Sequence, residues 1–232
     1  MAKEPIVIIG GGRAAASVID AYREDGGDAL ITVLSADEHP PYNRPPLSKD
    51  VLRGEMEPDE ALVHTAEEYE DLVVDLRLGT TVEAVDTKGH TLEIADGDAV
   101  PYGTLVIASG SRPRSLSIPG ADLPAVHTFR TLSDAVAVKA EAQEARKALV
   151  VGGSFIGSEV AASLSMLGLE VTIVEMGERL VPALASPELS EQVAELYREH
   201  GVEIMMKADG ERVGDHCRTC RPRIKFKRRK CG

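Results

Sequence analysis

Lys147-Ala148-Leu149-Val150-Val151-Gly152-Gly153-Ser154-Phe155-Ile156-Gly157 is the stretch on which the reading of this chain turns. The apolar residues 148–151 run into a glycine turn, residues 158–167 continue with an amphipathic pattern, Gly168 interrupts it, and Glu170-Val171-Thr172-Ile173-Val174 ends at Glu175. The order is strand, glycine turn, helix, strand, acid. Glycines in such a turn let backbone N–H groups approach a pyrophosphate at the positive end of the helix, so a dinucleotide is the expected ligand. Glu175 stands 23 residues beyond Gly152. There a carboxylate can accept hydrogen bonds from the adenosine ribose 2′- and 3′-hydroxyls, whereas a 2′-phosphate would meet like charge. NADH is therefore expected over NADPH. The motif's second glycine is replaced by Ser154, which adds a Cβ where the backbone should come close to the phosphates.

A glycine turn between strand and helix is often only packing. Here the pattern occurs twice. Pro5-Ile6-Val7-Ile8-Ile9 reads as a buried strand, and Gly10-Gly11-Gly12-Arg13-Ala14-Ala15 opens a helix that ends at Gly26-Gly27. Alanine in third place still permits close packing of helix on strand. Residues 29–34 read as the second strand; Ser35 follows it, and Asp37 is the acid chosen for the ribose contact, with Glu38 beside it. The fold class is α/β with two Rossmann-like, doubly wound units, and two such units imply two dinucleotides and a reaction that brings them together.

Composition agrees with this class. The chain has 232 residues, 21 glycines and no tryptophan, enough for a sizeable core. No apolar segment precedes the first strand and no apolar run approaches the roughly 18 residues of a membrane span, so a cytoplasmic protein without membrane contact is expected. The formal charge of −12 hides a division: residues 212–232 hold nine Lys/Arg and one acid, Asp215, so residues 1–211 carry −20. A body this acidic is a poor general binder of nucleic acid or anionic lipid.

Between the two units, residues 39–49 contain Pro40-Pro41-Tyr42-Asn43-Arg44-Pro45-Pro46-Leu47-Ser48-Lys49. Four prolines and no helical period predict a rigid, extended loop that presents a fixed Arg and Lys to an anionic ligand. Residues 59–72 show an acidic helical pattern, and residues 80–86, 91–94 and 105–108 read as short strands. Ala108-Ser109-Gly110-Ser111-Arg112-Pro113 ends a buried strand in small residues, as a backbone passing near a ligand requires. Pro119-Gly120 marks a turn and linker, residues 131–145 an exposed helix, residues 186–200 another helix, and residues 202–206 a further strand.

Gly10-x-Gly12-x-x-Ala15, Pro41-Tyr42-x-Arg44-Pro45-Pro46-Leu47-Ser48-Lys49, Ala108-Ser109-Gly110-Ser111-Arg112-Pro113, Arg130-Thr131-Leu132 and Gly153-x-Phe155-Ile156-Gly157-x-Glu159 occur in that order. Five separated motifs in sequence resemble the FAD-dependent NADH:ferredoxin reductases, relatives of apoptosis-inducing factor within the pyridine nucleotide-disulfide oxidoreductase superfamily. The resemblance spans about residues 4–206. It implies a flavoprotein that takes hydride from NADH onto FAD and passes electrons singly to a [2Fe–2S] ferredoxin of a P450 or Rieske oxygenase system.

The resemblance also implies roles for residues. Gly10, Gly12, Ala14 and Ala15 would hold the FAD pyrophosphate, Asp37 its adenosine ribose, Arg44 its phosphates, and Val82 its adenine through the backbone. Ala108, Gly110 and Arg130 would line the flavin, with Lys49 near N5. Gly152, Gly153, Ile156 and Gly157 would seat NADH, with Glu175 on its ribose and Glu159 facing the nicotinamide and pairing with Lys49. An ammonium and a carboxylate so placed keep each other charged in a site that excludes water. Lys49 and Glu159 are thus the candidate catalytic residues. Disulfide reductases with the same twin folds need a redox-active cysteine pair after the first unit, and residues 1–216 contain no cysteine. Electron transfer to an external carrier is what remains.

Beyond Met206 the resemblance stops, and a FAD-binding domain over residues 1–118, a NAD-binding domain over 119–209 without its last strands, and a tail over 210–232 are expected. His216, Cys217, Cys220 and Cys231 could supply a zinc site, and residues 225–230 a nucleic-acid patch. Only one close cysteine pair exists and no knuckle frames the last cysteine, so the preferred reading has no metal and a disordered, foreign or frame-shifted end. Lacking the family's later segments, the chain is expected either to act as such a reductase or to be a truncated, non-catalytic dinucleotide-binding remnant of one.

Overall fold

A computed structural model describes residues 4–95, 97–216 and 220–228, with the backbone path alone from residue 209 onward. The chain divides into two compact units: residues 1–44 with 58–112, and residues 45–57 with 113–232. Pro119-Gly120 and the segment carrying Ser48 and Lys49 both belong to the second unit.

In the first unit β1 (Ile6–Ile9), α1 (Arg13–Glu24), β2 (Ile31–Leu34), α2 (Ala66–Asp71), β3 (Val74–Arg77), β4 (Val82–Asp86), β5 (Thr91–Ile94), β6 (Ala99–Pro101) and β7 (Thr104–Ile107) follow in order. Four strands form a parallel sheet in the order β3-β2-β1-β7, with Ile6 opposite both Ile31 and Thr104. Alternate side chains of β1 serve different cores, which is why the strand is apolar throughout. Ile8 packs with Ala15 and Ile19 of α1, while Val7 packs with Leu92, Ile94 and Val100 of the antiparallel sheet β4-β5-β6. Strand order reverses between β2 and β7 on either side of β1, and a ligand crevice is expected outside the carboxyl ends of the strands at such a switch point.

The second unit carries α3 (Leu132–Glu144), β8 (Lys147–Val151), α4 (Phe155–Met166), β9 (Glu170–Val174), α5 (Pro187–Glu199), β10 (Glu203–Met205), β11 (Ala208–His216) and β12 (Cys220–Arg228). Its parallel sheet has the order β10-β9-β8. Its core joins Val160, Ala161 and Leu164 of α4 with Val171 and Ile173 of β9, Ala194 of α5 and the fully buried Leu52. Leu149 and Val151 of β8 are exposed, unlike the corresponding residues of β1.

Several expectations change. Residues 39–49 are not extended to their end: Leu47–Val51 is a π turn, in which the Val51 N–H bonds the Pro46 carbonyl at 3.1 Å. Pro46 sits at φ −69°, ψ −22°. A proline's fixed φ suits a helix start as well as an extended run, and no proline follows to stop the turn. The acidic pattern at 59–72 breaks into a 3₁₀ turn, Pro58–Ala61, and the short α2, because Thr65 caps a new helix with a capping box to Glu68. The helix at 131–145 is only partly exposed, with Leu132, Ala135 and Ala142 buried. β3 and β6 were not foreseen. β11 and β12 pair antiparallel, where no regular structure was expected; Cys217 and Cys231, invoked for a zinc site, lie outside the described residues. Among the described residues no helix is long and apolar enough to cross a membrane.

Candidate dinucleotide sites and a paired lysine and glutamate

Gly10 leaves β1 at φ +109°, and a Cβ there would lie 2.3 Å from the Ala108 carbonyl oxygen, so β1 and β7 approach closely only with glycine. Gly12 is the N-cap of α1 with φ −98° and ψ −175°, and no side chain caps the helix. A Cβ on Gly12 would meet only the Arg44 guanidinium, at 3.8 Å. Space, free N–H groups and a cation therefore converge at the start of α1. Ala15 is buried against the sheet and Ala14 is exposed. Ser35 closes the far side: its hydroxyl accepts the Asp37 N–H at 3.2 Å and lies where a Cβ on Gly11 would fall. The Asp37 carboxylate accepts the Tyr42 hydroxyl at 2.7 Å and the His39 N–H at 3.2 Å, which fixes its orientation at the end of β2. Gly110 is exposed at φ +68°, and Val82 opens β4. Arg130 belongs to the second unit, where its N–H donates to Asp134 at 2.8 Å and its Nε is buried with no partner among the described residues.

The second unit repeats the geometry. Gly152 leaves β8 at φ +104°, and a Cβ on Gly157 would lie 1.9 Å from the Gly152 carbonyl oxygen, so only glycine lets α4 begin so close to the turn. Ser154 takes the place of Gly12 as N-cap, at φ −82° and ψ −175°, an ordinary backbone for any residue, and it makes no capping hydrogen bond. The serine is thus tolerated without strain. Ile156 is exposed on the first turn of α4. Thr65, Thr131 and Ser186 cap α2, α3 and α5 by side chain, so among the described residues the two helices that follow a glycine turn, α1 and α4, are the ones whose N-termini lack such a cap.

Glu175 has a role the sequence reading missed. One of its carboxylate oxygens accepts the Gly153 N–H and the other the Gly177 N–H, each at 2.7 Å. It braces the glycine turn.

Lys49 and Glu159 meet within the second unit: Lys49 Nζ lies 2.8 Å from Glu159 Oε1, and Ser48 Oγ donates to Oε2 at 2.5 Å. Glu159 sits in the second turn of α4, and the π turn presents both partners to it. Burial pushes the Glu159 carboxyl up, but the hydrogen bonds from Lys49 and Ser48 and the Lys49 charge outweigh it and hold the group below the ordinary carboxylate range. The site pairs a fixed cation and anion one helical turn from an uncapped, glycine-led helix end. Ser48 falls within the proline-rich motif yet was assigned no role, for a serine beside a lysine carries no signal of its own.

Each unit thus sets a glycine turn before a helix N-terminus that no side chain caps. Residues 4–222 match the pyridine nucleotide-disulphide oxidoreductase family, and the chain belongs to it. It is 36% identical over 206 residues to the ferredoxin–NAD(+) reductase component of the anthranilate 1,2-dioxygenase system of Burkholderia cepacia, covering 89% of this chain and 51% of that protein. Rhodocoxin reductase of Rhodococcus erythropolis is 33% identical over 217 residues, covering 90% and 51%. Among solved structures, the ferredoxin reductase for the CYP199A2 system from Rhodopseudomonas palustris superposes with a TM-score of 0.90 at 28% identity, over 97% of this chain and 55% of that one. The reductase in a covalent putidaredoxin reductase–putidaredoxin complex gives 0.85 at 29%, over 92% and 52%. The chain spans about half the length of the relatives it matches.

Proposed function

We propose that this chain binds FAD in its first unit and NADH in its second, that hydride passes from NADH to FAD, and that electrons then leave to a [2Fe–2S] ferredoxin serving a P450 or Rieske oxygenase. The observation that carries the reading is the pair of helix N-termini, α1 and α4, that follow a glycine turn and have no side-chain cap, whereas the other α-helices among the described residues, α2, α3 and α5, are capped by their own side chains. Four N–H groups at a helix start have no partner within the helix, and a pyrophosphate satisfies them while its charge meets the positive end of the macrodipole.

The residues present fit both groups. At Gly12 the open space beside Arg44 suits a phosphate. Bound FAD would accept a hydride and return electrons one at a time. In the second unit Glu175 excludes a 2′-phosphate by like charge. Lys49 and Glu159 keep fixed opposite charges where the nicotinamide is expected, orienting it and resisting neutralisation as water leaves. The ferredoxin acceptor rests on the likeness to reductases of dioxygenase systems and to the putidaredoxin reductase structure.

Lys49→Ala is expected to leave FAD bound and to slow its anaerobic reduction by NADH by about 100-fold, since one charge-assisted contact at the reacting ring is worth roughly 2–3 kcal/mol. Stopped-flow absorbance of the flavin band measures it, and a wild-type rate would remove Lys49 from the mechanism. FAD retention without any reduction by NADH in the unaltered chain would instead favour a non-catalytic dinucleotide-binding form.

A further inference from the structure

Ser48 and Lys49 are adjacent in sequence, yet they grip the two oxygens of a single carboxylate, Glu159 Oε2 at 2.5 Å and Oε1 at 2.8 Å. Consecutive side chains of an extended segment point to opposite sides, so this convergence depends on the π turn Leu47–Val51. Such turns are uncommon and recur at functional sites. A second fastening holds the turn to α4. Ser163, one turn beyond Glu159, donates its hydroxyl to the Ser48 carbonyl at 2.6 Å, and Arg53 Nη1 donates to the Ser163 hydroxyl at 3.4 Å. A helical serine commonly bonds back to the carbonyl four residues earlier in its own helix. Ser163 bonds across to the turn instead. Both serines are buried, at 4% and 1% exposure, and Leu47 and Val51 anchor the turn on either side of Ser48.

We propose that Ser48 is a positioning residue for the Lys49–Glu159 pair, with Ser163 fixing the Ser48 backbone: the Ser48 hydroxyl holds one carboxylate oxygen, so that the other stays turned to Lys49 and Glu159 stays ionised. The proposal deepens the reading above and rests on it for the purpose of the pair. Lys49 and Glu159 keep 40% and 34% side-chain exposure, and ion pairs this open hold their geometry weakly when nothing else fixes them. A neutral hydroxyl on the second oxygen restricts the carboxylate plane without adding charge. When a nucleotide covers the pair, lost water raises a carboxyl group's pKa, and the serine hydrogen bond opposes that rise. Among the described residues Tyr197 of α5 also faces Glu159, and its hydroxyl donates to the Ser158 carbonyl at 2.7 Å. Burial and the Glu159 charge push its phenol up, so it stays neutral while Glu159 titrates. Arg53, near Ser163, is engaged by Asp50 and Glu55.

The test follows the Glu159 carboxylate by NMR in the chain labelled with ¹³C at glutamate, assigned by loss of its signal in Glu159→Gln. Ser48→Ala is expected to raise the titration midpoint of Glu159, and Ser48→Thr, which keeps the hydroxyl, to return it toward the wild-type value. Ser163→Ala, which leaves the Ser48 hydroxyl in place but cuts its anchor, is expected to move the midpoint in the same direction and serves if Ser48→Ala does not fold. With FAD bound, flavin reduction by NADH is expected to slow about tenfold in Ser48→Ala, the worth of one hydrogen bond to a charged group, and to slow no further when Ser48→Ala is added to Glu159→Gln. An unchanged midpoint in either alanine variant overturns the proposal. A raised midpoint in a chain that never reduces FAD supports the serine's hold on Glu159 and counts against the redox reading alone.

Discussion

Gly12→Asp is expected to leave the chain folded and slightly more stable while weakening FAD binding by about 100-fold or more. The backbone at Gly12 is ordinary, φ −98° and ψ −175°, and an added Cβ meets nothing closer than the Arg44 guanidinium at 3.8 Å. Aspartate at an N-cap accepts N–H groups of the first turn and favours the helix dipole, a gain over glycine of a few tenths of a kcal/mol. The same carboxylate would occupy the N–H groups that a pyrophosphate needs, place negative charge where the phosphates are proposed to bind, and draw Arg44 to itself. Stability and binding thus move in opposite directions, which a merely disruptive substitution would not produce. Thermal unfolding followed by circular dichroism, alongside FAD titration by fluorescence, checks both halves. Ser154→Asp is the matched change in the second unit, with NADH binding lost and FAD binding kept. Wild-type FAD affinity in Gly12→Asp would remove the start of α1 as the pyrophosphate site.

Glu175→Ala is expected to lower NADH affinity by about 100-fold and to erase the preference for NADH over NADPH. The carboxylate holds the Gly153 and Gly177 N–H groups at 2.7 Å each, and a carboxylate offers about four acceptor sites, so two remain for ribose hydroxyls. Two consequences of its loss are separable. Releasing the glycine turn weakens both nucleotides alike. Losing the 2′-hydroxyl contact weakens NADH alone, and removing the charge relieves the repulsion of the NADPH 2′-phosphate. Isothermal titration with each nucleotide distinguishes them: NADPH should lose far less than NADH. Equal losses for both would make Glu175 a brace of the turn and nothing more.

The parts of this molecule that the sequence disclosed are those where chemistry restricts residue type. Gly10 and Gly157 stand where a Cβ would collide with a backbone carbonyl, and so the two glycine turns are legible from residue type alone. β1 is legible because both its faces are buried. What escaped notice depends on groups that every residue carries or on tertiary context. Glu175 bonds backbone N–H groups, which leave no mark in a sequence. The π turn follows a proline run that reads as extended, since Pro45 and Pro46 fix φ but not the path beyond them. β3, with Asp75 and Arg77 alternating with Val74 and Leu76, is too short and too polar to announce itself, although it extends the sheet beside β2. The pairing of Lys49 with Glu159 came from the resemblance, and the geometry supplied Ser48 and Ser163 as the parts that hold it.

The central claim is that these two units hold FAD and NADH for hydride transfer between them. Its most direct measurement is the absorbance spectrum of the purified chain after incubation with FAD and gel filtration, taken before and after anaerobic addition of NADH. A flavin band that co-elutes with the protein and bleaches with NADH, far more slowly with NADPH, is the result expected. A chain that elutes without flavin, or whose flavin band NADH leaves unchanged, would contradict it.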